Sequence, residues 1–354
     1  MSKVEKAIPL EGVTALEVRL RCGDLTIETE EREDIFLRAE SAKEEIQLER
    51  DLKIERVGER FIIRQANIPR FTLGWKEEID IRLRLPAGRP WKVNGELGQG
   101  DVAVIDLEGE LGIKTGQGDV GVTSFQGELT INLGQGDVAL NRISGPVKTT
   151  VGQGDIRLEG WRGGEEEICA LKSSAGDVEV DEVTGSSLKV KSAMGDCHLR
   201  RVRVSHLRAE TAKGDVSCDG DPHDGRWELK TALGNITLSL PADVSARVSA
   251  ATSLGEIHSD FPLVQVGRQG PMGFLGGRMV GNMGEGEPRA EIELATAKGD
   301  IKLQARTPSA EGAPSPEGSK ADSANAARLR VLEALSRGEL SVEEAEELLR
   351  RLGI

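Results

Sequence analysis

Gly98-Gln99-Gly100-Asp101, Gly116-Gln117-Gly118-Asp119, Gly134-Gln135-Gly136-Asp137 and Gly152-Gln153-Gly154-Asp155 repeat one tetrapeptide four times, each copy followed by Val or Ile. Their aspartates, at 101, 119, 137 and 155, step by 18 residues. A fixed period of this size marks a repeat architecture, in which a unit too small to bury its own apolar face stacks on copies of itself. Within one period two alternating runs appear, Val102-Ala103-Val104 and Leu111-Gly112-Ile113-Lys114-Thr115, separated by the turn-like Glu108-Gly109-Glu110. The next period repeats them as Val120-Gly121-Val122 and Leu129-Thr130-Ile131-Asn132-Leu133. Alternation predicts strands with one face buried. Two strands and two turns make one flattened coil, and the expected fold is mainly β: a single-stranded parallel β-solenoid (β-helix or β-roll). A meander of hairpins is its structural rival.

Working outward, the motif loosens into Ala175-Gly176-Asp177, Met194-Gly195-Asp196, Lys213-Gly214-Asp215, Leu233-Gly234-Asn235 and Leu254-Gly255-Glu256. After an interruption comes Lys298-Gly299-Asp300, and an early outlier, Cys22-Gly23-Asp24, suggests that the same unit opens the domain. The stretch up to about residue 94 is β-rich but irregular and is expected to cap the solenoid edge. Residues 267–286 are rich in Gly and Met. They read as a long loop or flexible hairpin leaving the solenoid, for which disorder and packing against the solenoid end stand against a partner-binding role with Met272, Phe274 and Leu275 as an adaptable contact surface.

The domain reading is a solenoid over residues 1–305, a flexible linker over 306–325 rich in Pro, Ser, Gly and Ala, and a small C-terminal α-hairpin over 326–354. In the last segment Leu329, Leu332 and Leu335 fall on one helical face. Gly338 suits a C-cap, and Ser341-Val342-Glu343-Glu344 reads as a capping box before Leu348, Leu349 and Leu352. Two helices this short bury too little to stand alone. Leu332, Leu335, Leu348 and Leu349 are therefore the expected contacts with a protein partner or with a second copy of the chain.

Composition narrows the function classes. A net charge of −14 argues against nucleic acid, whose binding needs Lys and Arg to displace counterions, and against anionic lipid. Neither a signal-peptide-like segment nor an apolar run of membrane-spanning length is found, so a cytoplasmic location without direct membrane insertion is expected. Cys22, Cys169, Cys197 and Cys218 are scattered and read as buried, reduced thiols. His198, His206, His223 and His258 form no metal-ligating pattern, and no nucleophile elbow occurs, so the expectation is a non-enzyme without cofactor. The alternative is a polysaccharide lyase or hydrolase of β-helix type. Its aromatic platforms are wanting, because there is no Tyr and Trp75, Trp91, Trp161 and Trp227 do not recur in phase. Each Trp reads as a core or cap wedge.

Two rows of side chains follow from the stacking. Asp101, Asp119, Asp137 and Asp155 would align about 4.8 Å apart, which suggests a Ca2+-binding edge, although one carboxylate per coil falls short of the six to eight oxygens that Ca2+ prefers. The competing reading is structural, with turn aspartates bonding backbone N–H groups. Gln99, Gln117, Gln135 and Gln153 share one phase and are expected to form an amide ladder.

The Gly-Asp-Val/Ile repeats, the run from Leu240-Pro241-Ala242-Asp243 to Ala250, Asp260-Phe261-Pro262-Leu263 before the Gly-rich excursion, and Thr296-Ala297-Lys298-Gly299-Asp300-Ile301 together resemble the bacterial β-strand-repeat proteins of unknown function that carry an adhesin label. The resemblance covers roughly residues 10 to 305, and the tail is similar to short helical-hairpin (SHOCT-like) modules that accompany the family. It implies a β-solenoid, a link to envelope stress or the cell surface, oligomerisation or protein contacts through the hairpin, and no catalytic residues.

Overall fold

The computed structural model describes residues 2–10, 12–41, 51–66, 78–266, 277–284 and 287–306. All of them fall in one compact unit, Met1–Thr307. The hairpin residues Leu332, Leu335, Leu348 and Leu349, the loop residues Met272, Phe274 and Leu275, the 306–325 linker beyond Arg306 and Trp75 lie outside the described residues.

The alternation read from the sequence becomes strands that bury every second side chain, as in Trp91–Gln99 and Cys197–Lys213. Among the described residues twenty-six strands join one continuous sheet. The sheet winds as a solenoid with two parallel ladders, in register from coil to coil. On the first ladder Ile113 pairs with Ile131, Ile131 with Thr149 and Thr149 with Leu171. On the second, Val102 pairs with Val120, Val120 with Val138 and Val138 with Ile156. A meander of hairpins is therefore excluded for the central coils. The inward residues Leu111, Ile113, Val120, Val122, Phe125, Leu129 and Ile131 are at most 2% exposed and form one core that runs the length of the coils. Trp91, Trp161 and Trp227 are wedged into that core. Each donates its indole N–H to a backbone carbonyl, of Pro86 at 3.0 Å, Gly145 at 2.8 Å and Val204 at 2.9 Å.

The order of coils differs from the order of the chain at both ends. Ala15–Cys22 and Leu25–Glu30 do not open the solenoid. They lie second, between Arg60–Gln65 with Asp80–Pro86 on one side and Trp91–Gln99 with Val102–Ile105 on the other. At the far end Ala290–Lys298 and Ile301–Arg306 insert between Gly225–Leu233 with Ile236–Pro241 and Ala246–Leu254 with Ile257–Ser259. The last coil in sequence is thus next to last in space.

Antiparallel strands close the exposed edges. Ser2–Pro9 pairs with Asp34–Ser41, which pairs with Asp80–Pro86, and Leu52–Val57 pairs with Arg60–Gln65. These strands cap the N-terminal end of the solenoid. Gly277–Met283 pairs with Ala246–Leu254 and buries Met283 at 2% exposure. The described part of the Gly- and Met-rich segment covers the end of the solenoid, where an open ladder would otherwise face water.

Candidate functional site

Most coils turn at a Gly-Asp pair, and two constraints act there. Gly136 adopts φ +128°, and a Cβ on it would stand 2.2 Å from the carbonyl oxygen of Gly118 in the coil below. Only glycine permits that approach. The following aspartate then reaches across the gap. The backbone N–H of Asp119 donates to Asp101 Oδ1 at 2.8 Å, that of Asp137 to Asp119 Oδ1 at 2.8 Å, and that of Asp155 to Asp137 Oδ1 at 2.8 Å.

The row extends well beyond the four predicted positions. It starts at Asp80, which accepts from Asp24 at 3.0 Å, and Asp24 accepts from Asp101 at 2.8 Å. It continues through Asp177, Asp196, Asp215 and Asn235 at 2.7–2.8 Å. Asn235 Oδ1 accepts from Asp300 and Asp300 Oδ1 from Glu256, both at 2.9 Å. Asn235 shows that this position needs a short side-chain oxygen rather than a charge. The carboxylates therefore act as acceptors for peptide donors that the turn leaves outside the β-ladder. Among the described residues no group of three or more His, Cys, Asp or Glu side chains is arranged to hold a metal ion.

The amide row forms as its phase implies. Gln99 donates to Gln117, Gln117 to Gln135 at 2.9 Å and Gln135 to Gln153 at 3.0 Å. A third row escaped the sequence reading. Where the glutamines stop, a buried hydroxyl appears three residues before each turn glycine and donates to the turn-glycine carbonyl of the coil below. The pairs are Ser173 to Gly154 at 3.1 Å, Ser192 to Gly176 at 3.1 Å, Thr211 to Gly195 at 3.0 Å, Thr231 to Gly214 at 2.9 Å, Thr296 to Gly234 at 3.0 Å and Thr252 to Gly299 at 2.9 Å. The recurrent Ser or Thr at that offset was the available signal. Both devices order the same edge, one with exposed amides and the other with buried hydroxyls.

The thiols take core positions. Cys169, Cys197 and Cys218 are buried, while Cys22 is half-buried. Loss of hydration pushes the Cys197 thiol up to about 12, with Asp196 and Asp177 adding to the effect, and burial raises Cys169 and Cys218 as well. These groups are protonated packing elements at neutral pH.

A model of the family described as Toastrack DUF4097 matches residues 13–304. The chain belongs to the Toastrack DUF4097 family. The matched span takes in both ladders of the solenoid. Comparison of this Toastrack chain with the curated proteins finds no match. Among solved structures it is similar to a candidate cell-adhesion protein from Clostridium sporogenes, with 12% identity over 86% of this chain and 99% of that one and a TM-score of 0.21. It is also similar to a candidate adhesin from Bacteroides fragilis, with 11% identity over 85% and 97% and a TM-score of 0.32. A third, a candidate adhesin from Parabacteroides distasonis, shows 13% identity over 85% and 97% and a TM-score of 0.32.

Proposed function

We propose that this Toastrack chain is a non-enzymatic interaction protein whose solenoid presents a long, regular surface and whose C-terminal segment docks a protein partner or a second copy of the chain. The observation that carries the reading is the use of the repeated side chains. Asp, Gln, Ser and Thr, the residues a reacting centre would draw on, are engaged turn by turn in holding one coil to the next. The repeat is therefore an architecture that displays a surface. Leu332, Leu335, Leu348 and Leu349 are the proposed contacts in the tail, followed by Met272, Phe274 and Leu275. The envelope-stress setting and the cytoplasmic location belong to the same proposal.

The test is solution mass by light scattering, comparing the full chain with one ending at Arg306 and with a Leu332→Asp/Leu348→Asp variant. An oligomer that becomes a monomer in both variants supports self-association. A full chain that is already monomeric turns the test to partner capture with residues 307–354 as bait, and a bait that retains nothing refutes the docking role.

The Ca2+ edge is the second reading. What favours it is that Asp101, Asp119, Asp137 and Asp155 stand on consecutive coils along one edge. Calorimetric titration showing neither Ca2+ uptake nor a rise in melting temperature would remove it.

A further inference from the structure

The second corner of each coil is built differently from the Gly-Asp turn. Asp106, Ser124, Arg142, Glu182 and Arg201 occupy equivalent places there with φ between +49° and +55°, the left-handed region that ordinary residues enter at a cost of roughly 1–2 kcal/mol. Gly160 holds the same place in its own coil with φ +73°. Steric demand does not explain this glycine. A Cβ there would meet nothing nearer than 3.6 Å, and its neighbours at this corner carry full side chains. Its effect is to leave a gap between Arg142 and Glu182.

That gap is part of a groove of about 680 Å³ that crosses the corner over several coils. Arg142, Arg162, Arg201, Arg203 and Arg306 all line it, in a chain whose net charge is −14. Two of the five are committed to carboxylates: Arg201 to Asp181 at 2.7 Å and Glu182 at 3.2 Å, and Arg306 to Asp219 at 2.5 Å. Among the described residues the Arg142 side chain bonds only the neutral hydroxyl of Ser124, at 2.8 Å. Arg162 and Arg203 have no side-chain partner among the described residues, although Glu182 and Asp221 also line the groove.

The register places the two unpaired guanidinium groups on one line. Arg162 pairs with Thr184, and Thr184 with Arg203, so the arginines rise from coils two steps apart with a hydroxyl between them. Two ladder spacings put their attachment points about 10 Å apart. Guanidinium forks suit the two oxygens of a carboxylate or phosphate, and a groove of this volume suits a small ligand. Among the described residues no aromatic side chain lines it, which disfavours bases and sugar rings that bind by stacking. The negative charge of the whole chain opposes a long polyanion that would extend past the groove.

We propose that this groove binds a compact multivalent oxyanion, a molecule with two phosphate or carboxylate groups about 10 Å apart, held by Arg162 and Arg203 with Thr184 between them. The test is calorimetric titration of the full chain at low ionic strength with inorganic tetrapolyphosphate, and in parallel with suberate, a linear dicarboxylate. The expected result is one saturable site for at least one probe. The arm that binds assigns phosphate or carboxylate as the source.

The Arg162→Ala/Arg203→Ala variant should weaken binding at least tenfold. Gly160→Glu should do the same, because it fills the gap with a carboxylate at a corner where Glu182 already shows that Glu is tolerated. Lys92→Ala, which removes a cation paired with Glu110 at 2.6 Å and absent from the groove, should bind as the parent does. The proposal is overturned if neither probe binds the parent chain, if the double variant, shown folded by circular dichroism, binds undiminished, or if Lys92→Ala loses as much affinity as the double variant.

Discussion

Substituting two glycines with alanine separates a backbone that must be glycine from one that is merely left open. At Gly136 the added Cβ would lie 2.2 Å from Gly118 O, roughly 1 Å inside the closest approach a real Cβ makes. Relief requires the two coils to part at the turn, and three bonds flank the clash. They are Gly118 N–H to Gln135 O at 3.0 Å, Val120 N–H to Asp137 O at 2.9 Å and Asp137 N–H to Asp119 Oδ1 at 2.8 Å. At about 1 kcal/mol each, their loss costs about 3 kcal/mol. Forcing alanine to φ +128° adds about 1–3 kcal/mol. The expected destabilisation of Gly136→Ala is therefore about 4–6 kcal/mol. At Gly160 the Cβ has room, so only the left-handed backbone counts against alanine, and the reduced freedom of the unfolded chain offsets about 0.4–1 kcal/mol of that. Gly160→Ala should fall within about 1 kcal/mol of the parent. Urea unfolding followed by circular dichroism reads both. A Gly136→Ala protein within about 1.5 kcal/mol of the parent would refute the close-approach argument.

Three further outcomes follow from the same geometry. Asp137→Ala should be less stable than Asp137→Asn by about 0.5–1.5 kcal/mol in urea unfolding, because both lose the charge but only alanine leaves the Asp155 N–H without its acceptor. Asp137→Asn should be neutral or stabilising, since Asn235 already fills this role and each neighbouring carboxylate pair repels by roughly 0.9 kcal/mol. Glu293 is held below the usual carboxylate range chiefly by its hydrogen bond with Lys230, with Arg226 adding at 2.9 Å. A depressed folded value means that its stabilisation is present above the unfolded value near 4.5 and is lost as pH falls through the folded one. The parent's advantage over Glu293→Gln in urea unfolding should thus stay under about 1 kcal/mol at neutral pH and vanish in acid. Finally, a thiol reagent at neutral pH should modify Cys22 in the native chain while sparing Cys169, Cys197 and Cys218, and all four should react in denaturant.

What is local in this fold was legible in the residues. The period, the two strands per coil, the turn at Gly-Asp and the amide row all follow from spacing, because stacking in register turns sequence phase into spatial alignment. The Asp row could be narrowed only to metal or backbone bonding, since choosing between them needs the distance from one turn to the next N–H. The hydroxyl row was missed because Ser173, Ser192, Thr211, Thr231, Thr252 and Thr296 look like ordinary strand residues until their burial is known. The arginine groove left no period to detect. Its members come from coils of unequal length, and Arg306 reaches it only because its strand is inserted beside Ile236–Pro241.

The order of the last two coils has a physical trace in one residue. Every coil that another coil follows must offer a short side-chain oxygen to the next turn, and Asp80, Asp24, Asp101 and their successors through Asn235 and Asp300 all do. Glu256 breaks the pattern. Its N–H donates to Asp300, but its longer side chain turns instead to His258 at 3.2 Å, and among the described residues no further coil stands above it to need an acceptor. Chain order would have put Glu256 in the middle of the row, beneath Asp300, where a missing rung would leave a turn N–H unserved. Spatial order puts it at the end, where the rung is not required. The arrangement also seats Ile301–Arg306, the strand next to the tail, beside Ile236–Pro241 along its length and beside Ile257–Ser259 at Ile301–Leu303, so it cannot detach without breaking pairing on both sides. Gly277–Met283, drawn from the chain that connects the two swapped coils, then covers the outer edge of Ala246–Leu254. The interruption before the last repeat is in this sense the path a chain must take to leave the end of a solenoid, close that end, and return one coil below it.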